Sequence, residues 1–324
     1  MILIISDVFD AHADEVTKHL SAAKEPFFRL NLDVETLKST KIHFQDDIWH
    51  VTQNGTSTTS QEINCVWPRR LTVSLTLEQQ TTEEESDFKL WKSEWNRCLY
   101  GFYAYLRHKF WMNPIQASGL MDNKFYQMKF ARSIGFDVPD YISSNDKDKI
   151  QRFVSKNETV AIKFMSQDIY KMPDGSFRGI YVNRVSNEEL EDFREYSENP
   201  ITLQCYVDKA FEVRHTYVDG QHYACKIESQ LSDVSNIDWR RYDIANTPHS
   251  KINPPEKIIN LINSIMNEAG LYYGAFDFIV DSEGKWWYLE VNTSGQWLWI
   301  EDLVGHPISA RVAESLSIRS KGEC

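Results

Sequence analysis

Three oxygen-bearing side chains lie on two neighbouring apolar stretches in the last fifth of the sequence. Asp277 stands between Phe276 and Phe278, whereas Glu290 and Asn292 are two residues apart at the end of the second stretch. Because residues i and i+2 of a β-strand face the same side, Glu290 and Asn292 can reach one point. Carboxylate and carboxamide oxygens suit Mg²⁺ held against phosphates. Asp277 could equally be a satisfied buried polar group and Glu290 a strand-edge charge, so these residues alone leave both interpretations open.

The stretches that carry these side chains are predicted to form a β-hairpin. Residues 273–280 are rich in aromatic and β-branched side chains, residues 281–284 read Asp-Ser-Glu-Gly, and residues 286–291 form the second apolar stretch. This pattern is typical of two strands joined by a turn. Asp277 joins the other two side chains if the register of the hairpin places it opposite them.

Length, charge and cysteine content exclude several classes of protein. The 324 residues suffice for two or three structural domains. A net charge of −12 argues against a nucleic acid bound through its phosphates, although a few local cations can still bind ATP. The five scattered cysteines show no CxxC pair, which makes zinc and a disulfide framework unfavourable interpretations. Without a signal-like start or an 18-residue apolar run, we expect a cytoplasmic protein with no membrane partner.

The N-terminal third indicates a small α/β layer followed by a long helix. An apolar strand (1–8), a helix (10–23) and a second strand (27–32) form a β-α-β opening. A short strand ends in Arg69 and Arg70, which are either a solvated edge or an anion site, and spacing alone favours the solvated edge. A capping-box pattern then starts a helix at Thr82, whose aromatic residues at helical spacing predict core packing or a dimer contact. We expect a homodimer.

Further cations and polar residues precede the hairpin, and each has an unremarkable explanation. Lys163 lies in an apolar strand and could extend its amine to solvent. Arg214 could pair with Glu212 on its own strand face, and the loop that follows Lys163 could be only a loop. Taken together they supply what a bound ATP needs: cations for phosphates, a flexible loop over the γ-phosphate, a strand edge for adenine and an acid for ribose. The side chains of this set are Lys124, Lys163, Ser176, Arg178, Gln204, Glu212 and Arg214.

In this order the motifs resemble those of the ATP-grasp superfamily. The resemblance covers roughly residues 119–317. The sequence contains no Walker-type GxxxxGK[ST] motif, which argues against a P-loop enzyme. One departure is Gln204, where many members have a glutamate, but a glutamine can also accept a hydrogen bond from the adenine amino group. The motifs are DNK at 122–124, AIKF at 161–164, QCYVDKAFEVR at 204–214, GAFDFIVD at 274–281 and LEVNTSGQW at 289–297.

Within the superfamily, the chain resembles the macrocyclases of microviridin-type peptides, the graspetides. This narrower resemblance is carried by VWPRR at 66–70, by the tryptophan-rich helix and by EVNTSGQWLWIEDLVGHPI at 290–308. It implies an α/β (α+β) ATP-grasp fold with the nucleotide between two α+β lobes. The implied domains are an N-terminal α/β pre-ATP-grasp domain with the long aromatic helix (1–115), a central ATP-grasp lobe (116–190) and a C-terminal lobe with the metal site (191–324).

The resemblance also implies a role for each candidate residue. Lys124 and Lys163 would bind the α- and β-phosphates, Glu212 the ribose, and Arg214 the γ-phosphate and an acyl-phosphate. Two Mg²⁺ ions are expected, and Arg214 forms the catalytic set with the three metal ligands Asp277, Glu290 and Asn292. Ser176 and Arg178 would close over the nucleotide, and adenine would be bordered by Gln204, Tyr206 and Val207. Weaker candidates for the acceptor peptide are Arg69, Arg70, Ser294 and Gln296. Possible general bases are His215, Asp233 and His249.

The implied activity is an ATP-dependent ligase of ribosomal peptide natural products (RiPPs). It would phosphorylate Asp or Glu side chains of a precursor peptide with leader and core, and close ω-ester or ω-amide macrocycles with Thr, Ser or Lys. The resemblance is slightly closer to the ester-forming group. One alternative is another ATP-grasp carboxylate–amine ligase, which adds amino acids to a protein C-terminus or joins small molecules. A second is a non-catalytic ATP-binding scaffold, which would lack a metal ligand or the arginine.

Overall fold

The computed structural model describes residues 1–81, 85–157, 159–163, 165, 169–172, 174, 176–179, 183–185, 198–231 and 246–322. Strands and helices alternate through a mixed α/β chain. The described helices are α1 (Ala11–Ala22), α2 (Val34–Ser39), α3 (Leu77–Thr81), α4 (Ser86–Tyr105), α5 (Ile115–Asp122), α6 (Lys124–Ile134), α7 (Lys147–Lys156), α8 (Glu256–Ala269), α9 (Leu298–Val304) and α10 (Ile308–Ser320).

The described strands form five sheets. They are β1 (Ile2–Ser6), β2 (Phe27–Asn31), β3 (Lys41–Gln45), β4 (Ile48–Gln53), β5 (Thr56–Thr59), β6 (Cys65–Pro68), β7 (Phe110–Trp111), β8 (Tyr141–Ser144), β9 (Val160–Lys163), β10 (Ile169–Lys171), β11 (Phe177–Gly179), β12 (Asn183–Val185), β13 (Ile201–Cys205), β14 (Lys209–Val218), β15 (Gln221–Ile227), β16 (His249–Lys251), β17 (Tyr273–Asp281) and β18 (Trp286–Asn292).

The N-terminal sheet is parallel, in the order β2-β1-β6-β7. Every residue of β1 is buried, because a parallel sheet is covered on both faces. The Asp10 carboxylate caps α1 by accepting hydrogen bonds from the backbone N–H groups of His12 and Ala13, which confirms this helix start. The predicted β-α-β opening is therefore present.

A separate three-stranded sheet, β3-β4-β5, packs beside the parallel sheet. Its second turn is formed by Asn54 and Gly55, both with positive φ, as the sequence predicts. Gln53 joins the two sheets from a buried position at the end of β4. Its Oε1 accepts from the backbone N–H of Asn31 at 2.8 Å, and its Nε2 donates to the carbonyl of the same residue at 2.9 Å.

The remaining described strands form three antiparallel sheets, of which the smallest is the β10-β11 pair. Another has the order β12-β9-β13-β8 and packs its apolar side chains with α7. The third has the order β16-β15-β14-β17-β18, and α6 and α8 cover one of its faces. The predicted hairpin around Asp277 is therefore the β17–β18 edge of this five-stranded sheet.

Several predicted boundaries shift by a few residues. The sequence predicts a helix that begins at Asp122, but α5 ends at Asp122 and Asn123 caps α6, which follows. The sequence also suggests Asn145 as the cap of the next helix, but Asp146 caps α7, because the Asp146 side chain accepts from two backbone N–H groups of the first turn. The expected capping box at 82–85 lies largely outside the described residues, and α4 begins at Ser86. The helix predicted from Ser186 to Tyr196 also lies outside them.

The last two helices connect the C-terminal part of the chain to the N-terminal sheet. The predicted interruption at Gly305 and Pro307 is present, since α9 ends before Gly305 and α10 begins after Pro307. Val312 and Leu316 of α10 share one hydrophobic core with Ile2 of β1. The last helix and the N-terminal sheet are therefore packed against each other in one hydrophobic core. No helix within the described parts of the chain is long and apolar enough to span a bilayer.

Candidate active site

Three adjacent strands bring the predicted catalytic side chains into one row. In the antiparallel register, Arg214 of β14 lies opposite Asp277 of β17, and Asp277 lies opposite Glu290 of β18. Asn292 completes the group, because its Nδ2 donates to Oε1 of Glu290 at 3.1 Å. The register condition that the sequence left open is met, so these four side chains meet at one end of the sheet.

A one-residue bulge aims the ligands at this site. Phe278 lies opposite Tyr288, but Asp277 lies opposite Glu290, so Leu289 is an extra residue in β18. Phe278 and Tyr288 both point into the hydrophobic core. If β18 had no bulge and Leu289 paired with Asp277, regular alternation would place Glu290 on the core face together with Tyr288. The bulge therefore moves Glu290 and Asn292 to the face that carries Asp277.

Each carboxylate of the site is paired with a cation. Nη1 of Arg214 lies 2.9 and 2.8 Å from the two carboxylate oxygens of Asp277, and both side chains are buried. Burial works against the charge of Arg214, but the neighbouring Asp277 outweighs it and raises the pKa of the guanidinium. Nζ of Lys124 lies 2.7 Å from Oε2 of Glu290. The site therefore balances two negative charges with two positive ones.

The donor set fits Mg²⁺ that is also bound by phosphates. Among the described residues, no group of three or more His, Cys, Asp and Glu side chains is placed to hold a metal ion. Asp277 and Glu290 provide two carboxylates, and Asn292 adds one carboxamide oxygen. Mg²⁺ binds in proteins through one or two carboxylates, with waters and substrate phosphates as its remaining ligands. These residues would thus hold the ion only together with a phosphate-bearing ligand.

The loop after Asn292 is held in place by hydrogen bonds that its backbone carbonyls accept from side chains. Four consecutive carbonyl oxygens accept hydrogen bonds from four different side chains, three of which lie outside the loop's own hairpin. The side chains of Ser294 and Gln296 are exposed next to the row of charges. Both are therefore accessible, which their predicted role on the acceptor side requires. The pairs are Asn113 with Thr293 (2.9 Å), Arg69 with Ser294 (2.8 Å), Tyr273 with Gly295 (2.8 Å) and Arg214 with Gln296 (3.3 Å).

Arg69 is not part of a solvated edge, so the interpretation that spacing alone favoured is wrong for this residue. Its side chain is buried, and its Nε lies 3.1 Å from a carboxylate oxygen of Asp10. Its guanidinium also lies over the ring of Trp297, 5.1 Å from the centroid. Arg70 is half exposed and pairs with Asp7 at 3.1 Å. Arg69 therefore connects the N-terminal domain to the loop of the site, whereas Arg70 remains accessible.

The residues predicted to contact adenine lie on β13 or directly after it, in the β12-β9-β13-β8 sheet. Gln204 is buried on β13 opposite Ala161, and no group among the described residues hydrogen-bonds to its Nε2. A buried polar atom of this kind favours a polar ligand. The backbone N–H of Tyr206 donates to the carbonyl of Thr159 at 3.1 Å, so it is used by the fold. Backbone contacts to adenine would therefore come from the Tyr206 carbonyl and from Val207.

The predicted phosphate and ribose residues are partly buried. Lys163 is the last residue of β9 and is half-buried. Glu212 lies on the same strand face as Arg214 but is paired with Lys209, whose Nζ is 2.8 Å from Oε1 of Glu212. The alternative in which Glu212 neutralises Arg214 is therefore wrong, because each has a separate partner. Ser176 is exposed in the β10–β11 turn, where Asp174 accepts from it, and Arg178 lies on β11.

The structure argues against one general-base candidate. His215 is fully buried on the opposite face of β14 from Arg214, in contact with the ring of Phe276. Burial lowers the pKa of His215 to about 3, and its Nε2 is hydrogen-bonded to Nδ1 of His222 at 2.9 Å. It cannot reach the carboxylate row. His249 is half-buried against Trp299, and Asp233 lies outside the described residues.

The side chains that hold β18 in place are not among the residues predicted from the sequence. Gln127 of α6 is fully buried and hydrogen-bonds to the backbone of Val291, between the two ligands of β18. Asp122 accepts from the hydroxyl of Thr293 at 2.9 Å. The signal available was weak: Gln127 is one polar residue on the same helical face as Lys124, among apolar neighbours.

The N-terminal domain matches a known family model. Residues 1–118 match the MvdD pre-ATP grasp domain, which is about a third of the chain. No curated protein sequence matches this chain. The chain has the ATP-grasp fold with a pre-ATP-grasp domain. This class of protein is defined by the N-terminal domain together with the β12-β9-β13-β8 sheet and the five-stranded sheet that carries the charged row.

Solved structures narrow the resemblance. The chain is 26% identical to a RiPP-associated ATP-grasp ligase from Chryseobacterium gregarium, which was solved with ADP and a leader and core peptide. The TM-score of this match is 0.86, and it covers 97% of this chain and 96% of that chain. It is 25% identical to the macrocyclase MdnB of Microcystis aeruginosa MRC, with a TM-score of 0.79 over 97% and 98% of the chains. The macrocyclase MdnC of the same organism, bound with precursor peptide MdnA, shares the fold at 24% identity, with a TM-score of 0.84 over 98% and 99%. Within the ATP-grasp class, this chain thus resembles the microviridin-type macrocyclases.

Proposed function

We propose that this protein is an ATP-dependent ligase that closes macrocycles in a ribosomally made precursor peptide. The observation that carries the proposal is the row of Arg214, Asp277, Glu290 and Asn292. It lies within a chain similar over nearly its whole length to a RiPP-associated ATP-grasp ligase. The scaffold alternative would lack a metal ligand or the arginine, and this chain has both.

The reaction has two balanced steps. A side-chain carboxylate oxygen of the peptide attacks the γ-phosphorus of ATP, which forms an acyl-phosphate and releases ADP. A hydroxyl or amine of the peptide then attacks the acyl carbon and displaces inorganic phosphate, and its proton is lost to solvent or a base. The peptide loses one water for each ring. We favour an ester product, as the sequence resemblance does.

The side chains of the site stabilise the negative charge that develops in both steps. Mg²⁺ held by Asp277, Glu290 and Asn292 would neutralise phosphate charge and align the reacting groups. Arg214 is fixed by Asp277 and presents its guanidinium to the γ-phosphate and to the developing oxyanion. Lys124 pairs with Glu290 here and would move to the phosphates when a nucleotide binds.

The remaining assignments support nucleotide and peptide binding. We assign Lys163 to the phosphates, Glu212 to the ribose, Gln204 to adenine, and the exposed Ser294 and Gln296 to the acceptor peptide. The β10–β11 turn would close over the nucleotide. We also propose two Mg²⁺ ions, a homodimer and a cytoplasmic location.

The proposal is tested by incubating candidate precursor peptides with the protein, ATP and Mg²⁺, followed by mass spectrometry. Each ring lowers the peptide mass by one water, and mild base opens esters but not amides. Asp277→Asn and Arg214→Ala should each abolish ring formation with the fold intact. The matched control is Asp219→Asn, which breaks another Asp–Arg pair, to Arg319, at the far end of the same strand and should preserve it. Full ring formation by the Asp277 or Arg214 variant would refute the assignment.

A second measurement separates the rival ligases. Hydroxylamine converts an acyl-phosphate into a hydroxamate, so a precursor peptide with ATP should yield hydroxamates on its Asp or Glu side chains. An amino-acid-adding ligase would instead activate a C-terminal carboxylate. Hydroxamate found only at the C-terminus would favour that alternative.

A further inference from the structure

Gln127 makes an arrangement of hydrogen bonds that the proposed reaction does not itself require. Its side chain is fully buried on α6, and its Oε1 accepts from the backbone N–H of Val291 at 2.8 Å. Its Nε2 donates to the Val291 carbonyl at 3.3 Å and to the Met121 carbonyl at 2.7 Å. The carboxamide thus occupies both backbone groups of one strand residue, as a neighbouring strand would.

This residue of β18 is the one that separates the two ligands. Glu290 precedes Val291 and Asn292 follows it, so any displacement of Val291 moves both ligand side chains together. In the described sheet, β18 pairs with β17 alone and is therefore the edge strand. Without Gln127 the outward-facing N–H and carbonyl of Val291 would lose this hydrogen-bond partner, and an edge strand next to a bulge is free to change its pairing.

The same carboxamide also holds the other side of the bulge. The hydroxyl of Tyr288 donates to Oε1 of Gln127 at 2.8 Å. Tyr288 is the last paired residue before the extra Leu289, and Glu290 resumes the pairing after it. Gln127 therefore bonds to the chain on both sides of the bulge that turns Glu290 and Asn292 toward the site.

We propose that Gln127 is a positioning residue for the metal ligands: by bonding to Val291 and Tyr288 it holds the bulge at Leu289, and with it the spacing of Glu290 and Asn292. This inference rests on the proposed function, because it needs a metal that binds with the nucleotide. Groups that orient metal ligands from behind are needed for metal affinity, and their loss costs about 10- to 100-fold. Gln127 touches no substrate, so its effect must pass through the ligands.

The test measures how much Mg²⁺ strengthens ADP binding. Calorimetry with ADP is done once with Mg²⁺ and once with a chelator in its place, and the ratio of the two affinities is the metal-dependent gain. In Gln127→Met this gain should fall about tenfold or more, with the affinity in chelator unchanged. Stability is followed in parallel by urea unfolding.

The matched control is Gln53→Met. Gln53 is also a buried carboxamide that bonds to both backbone groups of one strand residue, Asn31, but it lies in the N-terminal domain. Both variants should lose stability, since each leaves a backbone N–H and carbonyl without a partner. Only Gln127→Met should lose the metal-dependent gain. An equal gain in the two variants would overturn the positioning role.

The outcomes separate this inference from the proposed function. If the unmodified protein binds no ADP under either condition, the proposed function fails. If it binds ADP with a clear gain from Mg²⁺ and Gln127→Met keeps that gain, only the positioning role fails. If Gln127→Met does not fold, Gln127→Glu gives the same comparison, because a carboxyl keeps the acceptor for Val291 but loses at least one of the two hydrogen bonds that Nε2 of Gln127 donates. Its gain should fall about two- to tenfold, and an unchanged gain would also overturn the inference.

Discussion

Gly295 lies where any side chain would displace Arg214, the proposed catalytic arginine. A Cβ built on Gly295 would lie 2.6 Å from Cβ of Ala275, 2.7 Å from Nη2 of Arg214 and 3.2 Å from Cβ of Asn292. The backbone of Gly295 does not have the positive φ that excludes other residues. The replacement Gly295→Ala therefore acts through these contacts and not through backbone strain.

The contacts set the expected magnitude. The Ala275 Cβ is fixed to the backbone of β17 and cannot rotate away, so the loop must shift, and overpacking of this kind costs about 1–3 kcal/mol of stability. The guanidinium of Arg214 can move, but only by leaving Asp277, to which it is bonded at 2.8 and 2.9 Å. Because removal of one oxyanion-stabilising donor typically costs about 100- to 1,000-fold in rate, we expect a loss of at least 100-fold in ring formation.

The assay compares single-turnover ring formation with urea unfolding for three variants. Gly119→Ala is the control, because nothing lies within 4 Å of its Cβ position in α5; it should gain about 0.5–1 kcal/mol of stability and keep its rate. The double replacement Gly295→Ala with Ala275→Gly removes the 2.6 Å contact but keeps the contact with Arg214. It should regain stability and remain inactive. Recovery of the rate in the double variant, or a wild-type rate in Gly295→Ala, would refute the reasoning.

Three further predictions concern charge. Lys163→Ala should weaken ATP binding about tenfold or more, as expected for a lost charge-assisted contact, and an unchanged affinity in calorimetry would argue against its phosphate role. Burial lowers the pKa of His12 from 6.5 to about 4, so the unfolded chain binds a proton that the folded one does not as pH falls. Between pH 7 and pH 5 this difference in proton binding lowers the free energy of unfolding by about 2 kcal/mol. Urea unfolding of His12→Gln over the same pH range should show a correspondingly smaller loss than the unmodified protein. Asp10→Asn keeps a helix cap but leaves Arg69 buried without its partner carboxylate, and should cost about 3–5 kcal/mol in the same assay.

The sequence predicts this fold where one local signal determines the outcome. The aromatic and β-branched residues and the Asp-Ser-Glu-Gly turn define the hairpin at 273–291. Gly135 and Gly270, both with positive φ, end α6 and α8 in the way that is common for glycine. The sequence predicts that Glu290 and Asn292 share a face, but it does not determine which face that is. An i, i+2 spacing shows that Glu290 and Asn292 share a side, whereas the side that they share is decided by the extra residue at Leu289.

Contacts between segments that are far apart in the sequence cannot be predicted from such local signals. Adjacent arginines after a strand look alike whether they face water or a neighbouring domain. Arg69 is buried because Asp10 and the carbonyl of Ser294, far apart in sequence, meet at its guanidinium. Gln127 looks like a solvent-facing helix residue until Val291 is placed beside it. Both depend on tertiary placement, for which a single sequence holds no local pattern.

The position of Arg69 gives the N-terminal domain a part in the chemistry as well as in stability. The loop at 293–296 is held from the N-terminal domain by Arg69 and Asn113, and from the five-stranded sheet by Tyr273 and Arg214. Arg214 is thus both the proposed catalytic group and one support of the loop that presents the acceptor side chains. A movement of the N-terminal domain would pull Ser294 through Arg69 and be transmitted to Arg214 through the same loop. The loop can be placed correctly only when both domains are, so the proposed peptide site and the proposed phosphate site are assembled together.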